Sequence, residues 1–428
     1  MGLGENFRPR LPSRNWSIFL TIVGTFSAAV IYDKREKNRV QRKWCKLVEH
    51  LAKEPLEPRS MPRKLSIFLE APPADGLRVS QDHFKLYVKP ILVASGLDWE
   101  FIQGREEGDI RAKLAEQIRN SRIPPEERTD EDAVAGVRQK SGIKEFVGPR
   151  GDIVIGRHTW KEYMRGLHEG WLGPLKEASK LEEQPLGDAQ NPEESKEEPI
   201  ETLPGISIDS PLRDAEPPAD KPKKPSRLPP FISTKEYELA AAPVELPDDL
   251  DPSAPISLPH ILGFLNTHRR LYRYLNRRAV ADSIGRDTAA IVLSTSRPYH
   301  TIPTSGESDS PSADGTQSSA AQEAEQQVAL VEEEKDWHKS VRVRKDDEPE
   351  RTWLEPIVLD ARIASRMRRA ELTPEDEARA NRIVVTEEEI EGWIKGGVRK
   401  LGRRGWAALG FGKETKKSPF VEGDESLE

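Results

Sequence analysis

Gly151-Asp-Ile-Val-Ile155, followed by Gly156-Arg157-His158-Thr159 and running on to Leu167, is the stretch whose reading decides the fold class. Residues 152–155 form a short β-branched run of the kind found in strands buried on both faces. Gly156 breaks it, and helical spacing takes over from about Thr159 to Leu167. The same alternation extends upstream. Leu65-Ser-Ile-Phe-Leu69 reads as a strand that ends in the loop Ala71-Pro-Pro-Ala-Asp-Gly76. Asp82 is placed to cap a helix with Phe84, Tyr87, Val88 and Ile91 on one face, which Pro90 should kink or end early. Residues 97–102 alternate like a strand, and Ile110, Leu114 and Ile118 mark one face of a second helix. Strand and helix in this order predict an α/β domain over residues 62–178, with a parallel sheet covered by helices.

Composition limits how much of the chain can share one core. Of 428 residues, 36% are hydrophobic and 32% charged, and 35 are proline, so ordered blocks separated by solvated linkers are expected. Residues 181–227 and 303–335 are the two expected disordered linkers, the first of them acidic. Between them residues 228–300 form a second, α+β block, with strand candidates near Phe231 and over residues 289–293. Residues 336–412 read as a C-terminal helical block and 413–428 as a disordered tail. The net charge of −7 argues against a nucleic-acid binder. Cys45, the single cysteine, allows no intrachain disulfide and reads as an inert thiol beside a basic stretch. The eight histidines show no metal-ligand spacing, and the chain has neither a nucleophile elbow nor a phosphate-binding Walker loop, so no catalytic residue, cofactor or metal is assigned.

Residues 16–32 contain no charge in 17 positions, about 25 Å of helix. Trp16, Ile18, Phe19, Leu20, Ile22, Val23, Phe26, Val30, Ile31 and Tyr32 are the expected membrane-spanning side chains, with Trp16 and Tyr32 at the two interfaces. Residues 1–15 are a short tail. Residues 33–61 are a basic juxtamembrane helix carrying Lys34, Arg35, Lys37, Arg39, Arg42 and Lys43. Counting six basic residues after the span against three before it directs the C-terminal flank to the matrix or cytosol.

Two further basic segments suggest contacts. Arg269, Arg270, Arg273, Arg277 and Arg278 interleave with Tyr272 and Tyr274, which fits an acidic lipid or protein partner. Beyond a capping box at Thr386 and Glu389, Trp393 and Ile394 continue an apolar stripe flanked by Lys395, Arg399, Lys400, Arg403 and Arg404, read as an interfacial helix or as one docked on the protein's own core.

The strand-loop-helix order resembles the nucleotide-binding domain of diacylglycerol and sphingosine kinases. Thr159, Glu162, Gly166 and Leu167 keep that family's spacing, but Arg157 stands where its motif has aspartate and His158 where it has glycine. Phosphate loops need glycine backbone close to the anion, and here only Gly76 is available beside Pro72 and Pro73. The reading is a kinase-like fold with an emptied site. Its loops, Pro72, Pro73, Gly76, Gly156, Arg157, His158 and Thr159, are expected as a partner or lipid-headgroup surface.

A wider resemblance covers the ordered blocks. Leu11-Pro-Ser-Arg-Asn-Trp16, Tyr32-Asp-Lys-Arg-Glu-Lys37, Pro62-Arg-Lys-Leu65, residues 83–92 and 151–172, Ile284-Gly-Arg-Asp-Thr288, Asp336-Trp-His-Lys-Ser340 and residues 360–369 resemble the fungal Tim fifty-four family of the mitochondrial carrier translocase. The resemblance implies a single-pass inner-membrane protein with its N-terminus in the matrix and its body in the intermembrane space, opposite to the charge count. It implies a non-catalytic scaffold for inserting multispanning carriers. The implied partners are the channel-forming translocase subunit and the small intermembrane-space chaperone complexes, with anionic inner-membrane lipids as a third class and no nucleic acid. The alternative is an inner-membrane lipid kinase, or a lipid-binding protein of kinase-like fold.

Overall fold

The computed structural model describes chiefly residues 13–123, 140–175, 230–303, 322–341 and 351–392, with short gaps inside these ranges. Everything below concerns them. Helix α1 (Arg14–Val48) leads into β1 (Lys64–Glu70), α2 (Arg78–His83), a π turn (Phe84–Val88), α3 (Lys89–Ser95), β2 (Asp98–Gly104), α4 (Asp109–Arg122), β3 (Asp152–Ile155) and α5 (Arg157–Leu172). After the acidic segment come β4 (Pro252–Ile256), α6 (Thr267–Leu275), α7 (Arg277–Val292), β5 (Ser296–Pro298) and a small hairpin of β6 (Thr301–Pro303) with β7 (Gln322–Ala324). Short helices α8 (Glu325–Val328), α9 (Glu332–Lys335) and α10 (Ala361–Ala364) precede β8 (Arg368–Ala370), α11 (Pro374–Arg382) and α12 (Glu387–Glu391).

Six strands form one sheet in the order β2-β1-β3-β4-β8-β5, parallel except for β5. On one face Leu65, Ile67, Leu69, Ile153, Ile155 and Ile256 pack under α3, α7 and the second half of α1. On the other, Phe68 and Val154 pack under α4, α5 and residues 357–367. The expected parallel α/β sheet is present. The expected division into separate blocks is not, because β4 and β8 complete the sheet that β1 to β3 begin. Prolines disguised β4 in the sequence. Ile256 turns its carbonyl to Gly156 on the β3 side, so Pro255 turns the other way, past the end of the β8 pairing at Ser253, and its missing N–H breaks no ladder.

Other expectations change with it. Residues 289–293 close helix α7 rather than forming a strand, since Ala281, Ile284, Thr288 and Ile291 give a buried helical stripe. Residues 231–236 hold a bend and a single 3-10 turn, not a strand. The helix expected to start at Asp82 begins at Arg78, and the π turn carries it through Pro90. Proline has no N–H for the Leu86 carbonyl, and the Gln41 side chain of α1 donates to that carbonyl instead at 2.5 Å. Within the expected linker 303–335, residues 322–335 form β7, α8 and α9 instead, because their carboxylates meet basic groups distant in sequence. Glu325, for example, pairs with Arg297 at 2.8 Å and also with Arg369. The described part of residues 336–412 contains a sheet strand as well as helices.

The juxtamembrane helix is also different. It is the continuation of α1, ends at Val48 and reaches into the core with Trp44, Leu47 and Val48. Its basic residues turn toward the body. Arg35 pairs with Glu387 and Glu391, Lys43 with Asp282 at 3.7 Å, and Lys46 with Glu389 at 2.8 Å. Cys45 is half-buried, and burial pushes its thiol up to about 11, which suits the inert role.

Candidate functional site

In open parallel sheets ligands bind beyond the carboxyl ends of the strands, where the strand order reverses. Here that point lies between β1 and β3, and it gathers most of the loops singled out in the sequence. Its occupant is the chain itself.

Helix α5 starts at Arg157, two residues earlier than the spacing suggested, so Arg157, His158 and Thr159 are buried in its first turn. Gly156 has φ 91°, and a Cβ there would stand 2.7 Å from the His158 ring, so this turn needs glycine. The N-terminus of α5 presents free backbone N–H groups, a natural anion position. Glu333 fills it: one carboxylate oxygen accepts from the Arg157 N–H at 2.8 Å and the other from the Leu258 N–H at 2.7 Å. Burial pushes this carboxyl up to about 7 despite those two bonds. The Arg157 side chain donates to Glu334 and to the Ala329 carbonyl, each at 2.7 Å. Lys161 donates to the Trp353 carbonyl at 2.7 Å and meets Glu334 at 2.9 Å. Pro72 and Pro73 are buried, and only Gly76 of the seven predicted residues is exposed. The expected surface is therefore an internal joint, because residues 325–338 and 353–355 fold over it.

Behind the joint lie two buried carboxyls, Glu70 at the end of β1 and Glu162 on α5. Glu162 accepts backbone N–H groups of Gly108, Ile110 and Arg111 at 2.5, 3.1 and 3.3 Å, capping α4, and the Trp353 indole at 3.0 Å. Burial, and after it the neighbouring Glu162 carboxylate, holds Glu70 well above the usual range, so it is the protonated one of the two. Both carboxyls are fully buried.

The remaining predicted residues divide clearly. In α1, Trp16, Ile18, Phe19, Leu20, Ile22, Val23, Phe26, Ile31 and Tyr32 are exposed and Val30 is half-buried, so the apolar stretch stands clear of the body, long and apolar enough to cross a membrane. Trp393, Ile394, Lys395, Arg399, Lys400, Arg403 and Arg404 lie outside the described residues. The arginine-tyrosine segment forms α6 and the start of α7. Arg269 and Arg273 pair with Asp336 at 3.1 and 2.8 Å, which ties α6 to the body. Beside it lies an open cavity of about 510 Å³, lined by His83, Tyr87, His260, Arg270, Arg273 and Arg277 among others.

Sequence reasoning missed Asp33. Although it directly follows the apolar run, it is buried, and it accepts the backbone N–H groups of Arg277 and Arg278 at 3.2 and 3.3 Å, capping α7. An acidic residue leading a basic run was the available signal. Glu333 and Glu334 carried none, since a Glu-Glu-Glu run reads as solvated.

A family model described as "Inner membrane protein import complex subunit Tim54" matches residues 1–370. Relatives named mitochondrial import inner membrane translocase subunit tim54 align over nearly the full length of both chains. The one from Aspergillus oryzae is 47% identical over 97% of this chain and 98% of its own. The one from Aspergillus fumigatus is 48% identical over 93% and 95%, and that from Neurospora crassa 46% over 94% and 86%. These names describe a translocase component and not an enzyme. The chain belongs to the Tim54 family of inner-membrane protein import complex subunits.

Proposed function

We propose that this chain is a non-catalytic scaffold of the mitochondrial carrier translocase, anchored by α1, that holds partners together while multispanning carriers enter the inner membrane. The observation that carries the reading is the continuity of α1. One helix runs from the apolar stretch into the core, where Trp44 and Asp33 fix it, so the body cannot tumble relative to its anchor. A rigid mount confines the exposed surfaces to one height above the membrane and raises their effective concentration for membrane-bound partners. In this reading the body faces the intermembrane space, and its partners are the channel-forming subunit and the small chaperone complexes. Any kinase-like ancestry of the sheet enters only as history, because Glu333 sits where a phosphate would bind. The lipid-kinase alternative finds no specific support.

A C-terminal tag, mild solubilisation of mitochondria and identification of co-purifying chains tests the proposal. Stoichiometric recovery of channel and small chaperone subunits supports it. Recovery of the protein alone, with ATP-dependent phosphorylation of a lipid, overturns it. Protease treatment of mitoplasts decides the orientation: a body that is digested only after the outer membrane is opened faces the intermembrane space.

A further inference from the structure

Helix α6 and the turn before it expose an apolar surface at a height fixed by the anchor. Phe264 and Leu265 are each 87% exposed, and Leu271 and Tyr272 follow at helical spacing, also exposed. The opposite side carries Arg269 and Arg273, bound to Asp336. This is the division of an interfacial helix, apolar on one face and arginine-rich on the other.

The connection to α1 says what covers the apolar face. Asp33, the first residue after the apolar run, caps α7, and the Arg278 guanidinium lies over the Tyr32 ring, 5.3 Å from its centroid. One turn further, Lys37 lies over Tyr87, 4.5 Å from its centroid. Asp33 to Lys37 adds about 6–7 Å of helix, and a headgroup layer is about 5–7 Å deep on each side of the hydrocarbon. Tyr87 and Arg277 both line the cavity of about 510 Å³, so that cavity opens at headgroup height.

The cavity is built for an anion. Arg270 and Arg277 line it with no carboxylate in salt-bridge range among the described residues, whereas its one lining carboxylate, Asp82, faces Lys85 at 3.6 Å and Arg78 at 3.7 Å. Of the residues lining it, Arg273 keeps one guanidinium nitrogen buried with no hydrogen-bond partner among the described residues, while His83 turns to the Ser257 backbone. Buried polar groups of this kind are costly unless a ligand or water meets them. Lys37 is pulled below its ordinary range by burial and then by the nearby Arg277 charge, a crowding that a bound anion relieves.

We propose that α6 and the Phe264-Leu265 corner lie in the interfacial layer of the bilayer crossed by α1, and that the cavity beside them takes the phosphate of an anionic phospholipid headgroup. The proposal needs only that α1 spans a bilayer. It holds whichever compartment the body faces and whether or not the chain is a scaffold.

The test uses the full chain in nanodiscs, of phosphatidylcholine alone or mixed with phosphatidylglycerol. With Cys45→Ser and Leu265→Cys, an environment-sensitive dye at position 265 should be quenched by nitroxides placed shallowly in the lipid and shielded from aqueous iodide. A dye quenched by iodide and untouched by lipid nitroxides overturns the interfacial placement, and leaves the patch as a protein-docking surface. Native mass spectrometry of released protein then reads the headgroup. Retention of phosphatidylglycerol over phosphatidylcholine should fall at least roughly tenfold in Arg270→Glu/Arg277→Glu, an interfacial basic residue being worth about fivefold on its own. The Arg270→Lys/Arg277→Lys variant should keep most of it. An unchanged melting temperature confirms that both variants are folded. Equal retention in the Glu variant, or displacement of the lipid by inorganic phosphate at the same concentration, overturns the headgroup assignment.

Discussion

If the second half of α1 belongs to the core, the contact between Gly285 and Trp44 must couple them. A Cβ at Gly285 would lie 2.2 Å from Trp44 Cδ1 and 2.8 Å from both Cγ and Nε1, closer than real contacts allow. Trp44 is buried, and its indole donates to Asp282 at 3.0 Å, so the ring cannot swing aside without losing that bond. Overpacking of this kind costs about 1–3 kcal/mol, while alanine in a helix interior gains about 1 kcal/mol over glycine. Gly285→Ala should therefore destabilise the protein by up to about 2 kcal/mol. With Trp44→Leu already in place the obstruction is gone, and the same Gly285→Ala should stabilise by about 1 kcal/mol. The sign change makes a double-mutant cycle decisive. Urea unfolding of the full chain in mild detergent, followed by far-UV circular dichroism, gives the four free energies. Equal stabilisation by Gly285→Ala in both backgrounds would refute the docking of α1 on α7.

Two other outcomes are expected. Glu169 is buried between Arg111 at 2.5 Å and Arg119 at 3.5 Å and accepts the Phe231 N–H at 3.0 Å; Glu169→Ala should cost about 3–5 kcal/mol by leaving buried guanidinium charge uncompensated, and a loss below about 1 kcal/mol in the same unfolding assay would contradict this. His168 is buried and neutral, donating through Nδ1 to the Met164 carbonyl at 2.7 Å and accepting the Asp360 N–H at Nε2 at 3.0 Å, and burial lowers its pKa to about 4. Its stabilisation is complete above the unfolded value of about 6.5 and is lost as pH falls through 4. The free-energy difference between wild type and His168→Gln should then move by about 2 kcal/mol in the variant's favour from pH 7 to pH 5, and a pH-independent difference would rule out this titration.

The helix-spaced and β-branched runs made much of the architecture legible. β1, β2, β3, α4 and α5 lie close to where periodicity put them, because the inner strands β1 and β3 need continuous apolar runs, the edge strand β2 alternates, and the helices need an apolar face. The apolar stretch of α1 was equally plain, since no soluble surface uses so long an uncharged run. Misreadings fell where local composition contradicts tertiary role. β4, with two prolines in five residues, looks like a loop and survives as a strand only because β8 stops short of Pro255.

The candidate site divides in the same way. Residues 16–32 declare by composition alone a stretch long and apolar enough to cross a membrane, and the alternation of arginine with tyrosine over residues 269–278 announces a charged surface. Whether Arg157 and His158 face solvent is a different kind of question. Periodicity reports which face of an element is apolar, but not which distant segment will cover it. Glu333, 176 residues from Arg157, decides that by placing its carboxylate on the N-terminus of α5. Asp33 likewise decides where α7 begins, and with it how α6 and its arginines stand relative to α1. The sequence by itself determined the anchor, the parallel α/β core and the charge pattern, since each follows from neighbours along the chain. Only the tertiary structure decided that one sheet spans the acidic segment, that the expected loop site is sealed, and that the basic helix is tied to the body through Asp336, because those depend on contacts between charges and backbone groups far apart in the chain.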